Sequence, residues 1–186
     1  MKLVLKYGGT SISNTNDIQS IAKYVNELSK KHQIVLVCSA TSGTTNDLIE
    51  ISESIKKENK SKAEQLASKI TNRHKQLAKQ TIKKSDVRKK LLEKLDQDFT
   101  ELLALIDGMV LLGEVTPRSM DYLISLGERL SIKLVSSAIN DSGKKSIPLT
   151  GKEVGIVTDS NFGESKPLMD TTRLRVSKIV GALFSK

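Results

Sequence analysis

The sequence has a single cysteine, no tryptophan and few aromatic residues, which make up 3% of its 186 residues. The lone thiol, Cys38, excludes a disulfide framework and indicates a reducing compartment, the cytoplasm, where we expect it to serve as a small apolar core side chain. No apolar run approaches the roughly 18 residues of a membrane span, and the opening apolar run is too short for a secretory signal. The scarcity of aromatic rings argues against stacking platforms for single-stranded nucleic acid.

Charge of one sign dominates, and it is concentrated in one segment. The chain carries 30 Lys and Arg against 21 Asp and Glu, and residues 51–100 alone hold 14 against 7. A local excess of positive charge is a footprint for nucleic acid in some proteins, and a solvated, lysine-rich helical face has the same composition. We favour the helical face, because the charges are mostly Lys, whereas bidentate recognition of bases uses Arg.

The first 60 residues predict an α/β unit. Short branched apolar runs at residues 3–5 and 34–38 have the composition of buried parallel strands. Between them, apolar residues recur at helical spacing from Ile18 to Leu28, after Asn and Asp residues that favour a helix start. A strand, a helix and a strand in this order form a βαβ unit, which predicts a parallel sheet.

Residues 61–107 contain no strand pattern. Leu66, Ile70 and Leu77 mark one helix, and a longer helix follows whose apolar residues repeat every three or four positions: Val87, Leu91, Leu95, Phe99, Leu102 and Ile106. We interpret this segment as an antiparallel helical hairpin that packs on its parent domain. The hairpin would be inserted into an α/β core formed by residues 1–60 and 108–186.

The remaining segment mixes helix and strand signals. Thr116-Pro117 is a strong helix start, with Thr as the N-cap and Pro in the first position, and Gly127 is expected to interrupt this helix. Short apolar runs at residues 146–150 and 155–158 predict strands. Asp170 is expected to cap a last helix.

The first candidate binding segment is residues 6–11, Lys-Tyr-Gly-Gly-Thr-Ser. It follows the first strand, and parallel sheets bind ligands at the carboxyl ends of their strands. Paired glycines let the backbone turn its N–H groups toward an anion, while Lys6 adds an ammonium and the two hydroxyl residues add donors. The spacing is neither a Walker A loop nor a Gly-x-Gly-x-x-Gly motif. A glycine pair that only makes a tight strand exit is the alternative.

Two further segments carry candidate polar groups. Residues 39–46, Ser-Ala-Thr-Ser-Gly-Thr-Thr-Asn, follow the second strand, and their hydroxyls either bind a carboxylate or phosphate or only cap a helix. Glu128 is expected at a helix N-terminus, where it accepts a substrate ammonium or is merely a capping acid. His32 and His74 have no Cys or acidic partner at metal-ligand spacing, which predicts surface histidines and no metal site.

In this order and spacing, the three segments resemble those of aspartate kinases in the amino acid kinase superfamily. Residues 6–11 are similar to the family's opening Lys-Phe/Tyr-Gly-Gly-Thr-Ser, and residues 39–46 to its second loop. Residues 125–131, Ser-Leu-Gly-Glu-Arg-Leu-Ser, are similar to its Ser-x-Gly-Glu segment, and residues 159–163 to a later Asp-x-x-Phe-Gly hairpin. The resemblance spans nearly the whole chain and implies an α/β, carbamate-kinase-like sandwich built on a parallel sheet.

The resemblance implies transfer of the γ-phosphoryl group of ATP to the side-chain carboxylate of L-aspartate, the entry to lysine, threonine and methionine biosynthesis. It implies a cytoplasmic homo-oligomer without membrane or nucleic-acid partners, and Mg²⁺ that arrives with ATP on its phosphate oxygens. The implied roles are charge stabilisation on the transferring phosphoryl group by Lys6, phosphate binding by Lys6, Gly8, Gly9, Thr10 and Ser11, and aspartate binding by Ser39, Thr45 and Glu128.

The sequence also departs from the family. Aspartate kinases continue into a second half with a Thr-x-x-Gly-Arg-Gly-Gly-Ser-Asp stretch, adenine-site strands and a regulatory region, and this sequence contains none of them. We therefore expect the amino-terminal half of a catalytic domain, which turns over little aspartate by itself and exposes an apolar edge. Two alternatives stay open: a non-catalytic aspartate-binding fragment, and a basic helical nucleic-acid-binding protein.

Overall fold

The structure, a computed structural model, describes residues 1–185. The chain divides into two compact units, Met1–Ser146 and the segment from Ile147 onward. Within the described range it forms two strands and six α-helices, in the order β1 (Lys2–Tyr7), α1 (Thr15–Leu28), β2 (Gln33–Cys38), α2 (Thr44–Lys56), α3 (Lys60–Thr81), α4 (Ser85–Leu112), α5 (Pro117–Asp141) and α6 (Met169–Phe184). None of these helices is both long and apolar enough to cross a membrane.

The predicted βαβ unit is confirmed. β1 and β2 pair in parallel, from Lys2 opposite Gln33 to Tyr7 opposite Cys38, and α1 connects them. The side chain of Asn14 caps α1 by accepting hydrogen bonds from the first amides of the helix. The carboxyl ends of both strands therefore lie side by side, at the edge where a parallel sheet binds ligands.

The two faces of this sheet differ in exposure. Leu5, Tyr7 and Cys38 pack against the helical core, and burial raises the pKa of the Cys38 thiol to about 11, so the thiol stays neutral as an apolar side chain. On the opposite face, Val4 is 70% exposed and Val37 is 46% exposed. These exposed apolar residues of the sheet lie on its face, and the expected apolar edge stays a prediction.

The lysine-rich segment forms two long helices, α3 and α4, joined by three residues. They pack on each other, and α3 also packs on α2, so this segment lies against other helices of the first unit. Its assignment as an inserted hairpin stays a prediction. Apart from the partly buried Val87, every apolar residue that marked the two helices in the sequence is buried in one continuous core.

Most of the positive charge on α3 is paired. Four of its lysines form ion pairs with acids on the neighbouring helices α2 and α4, at distances of 2.6–2.8 Å: Lys60 with Asp107, Lys62 with Glu50, Lys69 with Asp47, and Lys75 with Asp96. Binding to nucleic acid would require lysines that are free to neutralise its phosphates and so displace the counterions bound there. The pairing therefore favours the interpretation of this segment as a helical face over that of a nucleic-acid footprint.

Helix α5 is the central helix of the first unit. It begins as predicted, with the Thr116 hydroxyl accepting a hydrogen bond from the Ser119 amide (3.1 Å) and Pro117 in the first turn. The expected interruption at Gly127 is wrong, because one continuous helix runs to Asp141. It contacts all four preceding helices and β2, so its side chains reach both the sheet and the hairpin.

The segment from Ile147 onward holds one helix, α6. This helix begins at Met169, one residue before the predicted cap. Asp170 lies in its first turn, where the helix dipole stabilises a carboxylate. The strands predicted at residues 146–150 and 155–158 are wrong. In the described part of this segment, the only β pairing is an isolated bridge between Thr158 and Pro167.

Candidate functional site

The first two motif segments meet at the carboxyl ends of the strands. The Ser39 amide donates to the Tyr7 carbonyl oxygen (3.0 Å), which extends the strand pairing by one residue. Next to it, a Cβ placed on Gly9 would lie 3.2 Å from the Ala40 carbonyl oxygen. That spacing is tight for any side chain, so glycine at this position permits the two loops to run side by side.

Lys6 lies at the end of β1, on the face of the sheet that carries the exposed Val4 and Val37 and is called the open face below. Its side chain is exposed, since it alternates with Leu5 and Tyr7, which face the core. Among residues 1–185, no hydrogen bond or ion pair engages its ammonium. The exposed Thr10 and Ser11 follow it within the short turn Gly9–Ser11. The strand end therefore presents an uncompensated positive charge beside two hydroxyl groups.

Glu128 reaches the same edge from α5. Its Oε1 atom accepts a hydrogen bond from the Ala40 amide (3.3 Å), directly after β2. The prediction that Glu128 lies at a helix N-terminus is wrong, because the residue sits in the middle of α5. Its carboxylate is oriented by the loop that it touches and not by a helix dipole.

Gly127 explains how α5 comes so close to this loop. A Cβ at this position would lie 2.9 Å from the Ala40 Cβ and 3.4 Å from the Leu48 Cδ1. Carbon atoms in contact normally lie about 3.5–4.0 Å apart, so a methyl group here forces the helix and the loop to separate. The glycine that looked like a helix breaker in the sequence is a point of close packing.

We expect Gly127→Ala to lower the free energy of unfolding by about 1–2 kcal/mol, because overpacking outweighs the gain in helix propensity. Urea denaturation of the 186-residue chain measures the change. The matched control is Gly108→Ala within α4, where a Cβ would meet nothing within 4 Å. That variant should gain about 0.5–1 kcal/mol, and equal effects of the two substitutions would contradict the packing argument.

Ser39 and Thr45 flank the second loop. Ser39 is partly exposed and its Oγ lies 3.9 Å from the position of a Cβ on Gly9. Thr45 is the second residue of α2 and is also partly exposed. Among the predicted site residues, the structure thus places the glycine turn, Ser39 and Glu128 around the backbone of Ala40, while Thr45 lies five residues further along the chain, in the first turn of α2.

The surface position predicted for His74 is wrong. The residue is fully buried, with ring nitrogens near the Thr41 hydroxyl (3.1 Å) and the Ile70 carbonyl oxygen (2.8 Å). Burial lowers its pKa to about 4, so the ring is neutral at pH 7. The available signal was its spacing, because His74 falls on the apolar stripe between Ile70 and Leu77.

A buried charge cluster joins α4 to α5 one residue beyond Glu128. Asp98 is 2% exposed and pairs with Arg129 (2.9 Å) and Lys133 (2.5 Å). Arg129 also pairs with Glu101 (2.6 Å), and its hydrogen bond lowers the pKa of that carboxyl to about 2. These partners hold the turn of α5 that carries Glu128.

A groove of about 320 Å³ lies elsewhere in the first unit, between the start of α1 and the second half of α3. Its lining includes residues 13–16, Arg73 and Gln80, and none of the residues predicted to bind ATP or aspartate. Among residues 1–185, no three His, Cys, Asp or Glu side chains are grouped so that they could hold a metal ion.

Comparison with known families gives a match over most of the chain. The profile of the amino acid kinase family matches residues 1–179. The chain belongs to the amino acid kinase family. This assignment confirms the resemblance noted in the sequence and the α/β fold class that it implied.

Relatives of this amino acid kinase family member include several aspartokinases. Aspartokinase of Schizosaccharomyces pombe is 30% identical over 76% of this chain and 28% of its own length. Chloroplastic aspartokinase 2 of Arabidopsis thaliana is 28% identical, and aspartokinase of Geobacillus stearothermophilus is 26% identical; both matches cover nearly all of this chain and 32% or 31% of the relative. The chain thus spans roughly three-tenths of the length of these relatives.

Solved structures show the same fold. Escherichia coli aspartokinase III in complex with aspartate and ADP (R-state) matches with a TM-score of 0.81 and 18% identity, over 99% of this chain and 38% of that one. The same enzyme in complex with lysine and aspartate (T-state) matches with a TM-score of 0.68 and 20% identity, over 97% of this chain and 37% of that one. This amino acid kinase family member therefore has the fold of part of an aspartokinase chain.

Proposed function

We propose that this chain is the amino-terminal part of an aspartate kinase catalytic domain, in a protein that transfers the γ-phosphoryl group of ATP to the side-chain carboxylate of L-aspartate. The observation that carries the proposal is the meeting of three segments at one edge of the sheet, where Gly9 and Glu128 both contact Ala40. The names of the relatives support the substrate, since they are aspartokinases.

In the proposed organisation, residues 1–60 and 108–186 belong to the α/β core and residues 61–107 form the inserted hairpin. The second half of the catalytic domain and a regulatory region would lie in further segments of the protein. We propose that the complete enzyme is a cytoplasmic homo-oligomer that supplies lysine and threonine biosynthesis. The single, partly buried thiol of Cys38 is consistent with a reducing compartment.

The proposed phosphate end of the site is the exit of β1. Phosphoryl transfer needs little covalent chemistry from the protein, and the enzyme contributes positioning and charge stabilisation. Lys6 is exposed and unpaired among the described residues, so its ammonium is free to stabilise negative charge on the transferring group. Gly8 and Gly9 let the backbone approach the phosphates, and the hydroxyls of Thr10 and Ser11 add donors.

The proposed aspartate end is the loop after β2 together with Glu128. Ser39 and Thr45 offer hydroxyl groups to the substrate carboxylates, and the Glu128 carboxylate accepts a hydrogen bond from the substrate α-ammonium. The bond from the Ala40 amide to Oε1 holds the carboxylate at this edge. The acceptor capacity of a carboxylate exceeds one hydrogen bond, so Glu128 has room for the ammonium.

ATP is the proposed phosphoryl donor, and a divalent cation would accompany it. Among the described residues, no three His, Cys, Asp or Glu side chains are grouped so that they could hold a metal ion by themselves, and Mg²⁺ usually keeps several waters and binds together with substrate phosphates. We therefore propose that Mg²⁺ binds through phosphate oxygens and water. The residues of this chain act on the phosphates and on aspartate.

Glu128→Gln tests the aspartate end in the chain itself. Glutamine keeps an acceptor for the Ala40 amide and removes the negative charge, so we expect L-aspartate to bind about 10- to 100-fold more weakly, since hydrogen bonds to charged groups contribute roughly 1.5–3 kcal/mol. Isothermal titration calorimetry measures both affinities. Succinate, which lacks the ammonium, is the control ligand, and its affinity should be the same for both proteins. Equal loss for both ligands would contradict the role of Glu128.

The reaction itself is tested in the completed enzyme, which is this chain joined to the rest of the catalytic domain. Release of ADP that depends on L-aspartate, with the product trapped by hydroxylamine as a hydroxamate, is the expected result. ADP release that ignores aspartate would overturn the proposed substrate. The 186-residue chain alone should show little turnover.

A further inference from the structure

The loop that carries Thr45 enters α2 without a capping side chain. Its N-cap is Gly43, in the left-handed conformation (φ 77°), which has no side chain to accept hydrogen bonds from the first amides of the helix. The flanking Thr41 and Thr44 are nevertheless buried, with 2% and 0% exposure. Buried hydroxyl groups need hydrogen-bond partners, and here the partners are supplied by α3.

The direction of these hydrogen bonds follows from the neutral ring of His74. Nδ1 lies 2.8 Å from the Ile70 carbonyl oxygen, which can only accept, so Nδ1 carries the proton and Nε2 is an acceptor. The Thr41 hydroxyl therefore donates to Nε2 (3.1 Å). Thr41 in turn accepts from the Thr44 hydroxyl (2.6 Å), and Thr44 accepts from Arg73 Nη2 (2.8 Å). The hydroxyl protons of Thr41 and Thr44 therefore each have one acceptor: Nε2 of His74 for Thr41, and the Thr41 hydroxyl oxygen for Thr44.

Arg73 has a second contact with the same turn of α2. Its Nη2 atom lies 3.0 Å from Oδ2 of Asp47, which is 6% exposed. Its Nη1 atom lies 3.5 Å from the position of a Cβ on Gly43. Arg73 and His74 thus hold both sides of the turn in which Thr45 lies.

We propose that Arg73 and His74 are positioning residues that fix the second loop and the first turn of α2, so that Ser39 and Thr45 are held ready for aspartate. This inference rests on the proposed function for its substrate. The hairpin helix α3 then acts as a support of the aspartate end, although none of its side chains is assigned to contact substrate. Loss of the contacts made by Arg73 and His74 should weaken the binding of aspartate and leave the binding of ATP unchanged.

The structural half of the proposal is tested by amide hydrogen exchange in the 186-residue chain. His74→Leu preserves the size of the side chain and removes the acceptor, and we expect the amides of residues 44–47 to exchange about tenfold faster, as the loss of one buried hydrogen bond allows. His74→Gln retains an acceptor and should restore most of the protection. Leu66→Ala, two turns away on α3, is the matched control for general loosening of the helix and should leave this segment unchanged.

The functional half is tested by kinetics of the completed enzyme. We expect His74→Leu to raise the KM for aspartate about tenfold, with the KM for ATP and kcat within twofold of the wild type. Arg73→Gln, at a partly exposed position, should shift the KM for aspartate in the same direction. His74→Gln should return it toward the wild-type value, and Leu66→Ala should leave it unchanged.

The two tests separate the possible failures. Faster exchange in residues 44–47 of His74→Leu together with a selective rise in the KM for aspartate supports the proposal. Unchanged exchange, or KM values for aspartate and ATP that rise together, overturns it. If the wild-type enzyme has no aspartate-dependent activity, the proposed function fails, and the exchange experiment still decides whether Arg73 and His74 hold the loop.

Discussion

Lys6→Ala should lower kcat of the completed enzyme by about 10²–10³, the usual cost of removing one group that stabilises developing charge. The ammonium of Lys6 is exposed at the end of β1 and is not neutralised by any described residue. Its charge is therefore available to the oxygens of the transferring phosphoryl group. The KM for aspartate should change little, because the interaction is strongest in the transition state.

Lys2→Ala is the matched control for this experiment. Lys2 lies on the same strand and the same face of the sheet, four residues before Lys6, and is also exposed. Lys2 is the first residue of β1 and lies far from the carboxyl end of the strand, so its substitution should leave kcat within twofold of the wild-type value. Steady-state rates of ADP release measure both variants. Similar rates for the two variants would remove Lys6 from the proposed mechanism.

Asp98→Ala should lower the free energy of unfolding by about 3–5 kcal/mol, the range found when one partner of a buried ion pair is removed. Asp98 is 2% exposed and is the shared partner of Arg129 and Lys133. Both cations are largely covered, with side-chain exposures of 22% and 21%. Removing the carboxylate leaves them with too little compensating charge in a region that excludes water.

Asp96→Ala provides the control for the loss of a carboxylate from α4. Asp96 is 56% exposed and pairs with Lys75, and exposed ion pairs contribute at most about 1 kcal/mol. Urea denaturation of the two variants under the same conditions gives the comparison. A loss for Asp98→Ala as small as that for Asp96→Ala would show that the buried cluster contributes little to stability.

The elements that depend on neighbours in the sequence were predictable. The βαβ unit follows from two branched apolar runs and the helical spacing between them, and the structure has both strands and the helix. The start of α5 at Thr116-Pro117 is a local signal, because the capping Thr116 hydroxyl and the Ser119 amide that donates to it are three residues apart in the sequence. The hairpin helices likewise follow from their own apolar stripes.

The errors concern positions whose environment comes from distant segments. Gly127 has the same local sequence whether it breaks a helix or packs against Ala40, which is 87 residues earlier in the chain. His74 is polar by type, and its burial depends on a hydrogen bond to Thr41, which lies 33 residues earlier in the chain, as well as on the nearby Ile70 carbonyl oxygen. The strands predicted at residues 146–150 and 155–158 have suitable composition, but a strand also needs a partner to pair with. Within the described residues, the only β pairing that involves these two segments is the isolated bridge between Thr158 and Pro167.

The roles of the site residues stay predictions, although their placement is known. A motif indicates which residues come to the carboxyl ends of the strands, and the contacts around Ala40 agree with that expectation. The motif does not reveal that Lys6 projects from the open face of the sheet while Glu128 approaches from a helix that packs on β2.

The ties between the hairpin and the rest of the first unit limit how this protein can be reduced in size. A shortened version of the chain that replaced α3 and α4 with a brief linker would lose Asp98 and Glu101, and would leave Arg129 and Lys133 without the acids that pair with them. It would also leave the hydroxyl of Thr41 with no acceptor on α3. Such a minimal version would need apolar replacements at both cationic positions and a new acceptor beside the loop before it could fold.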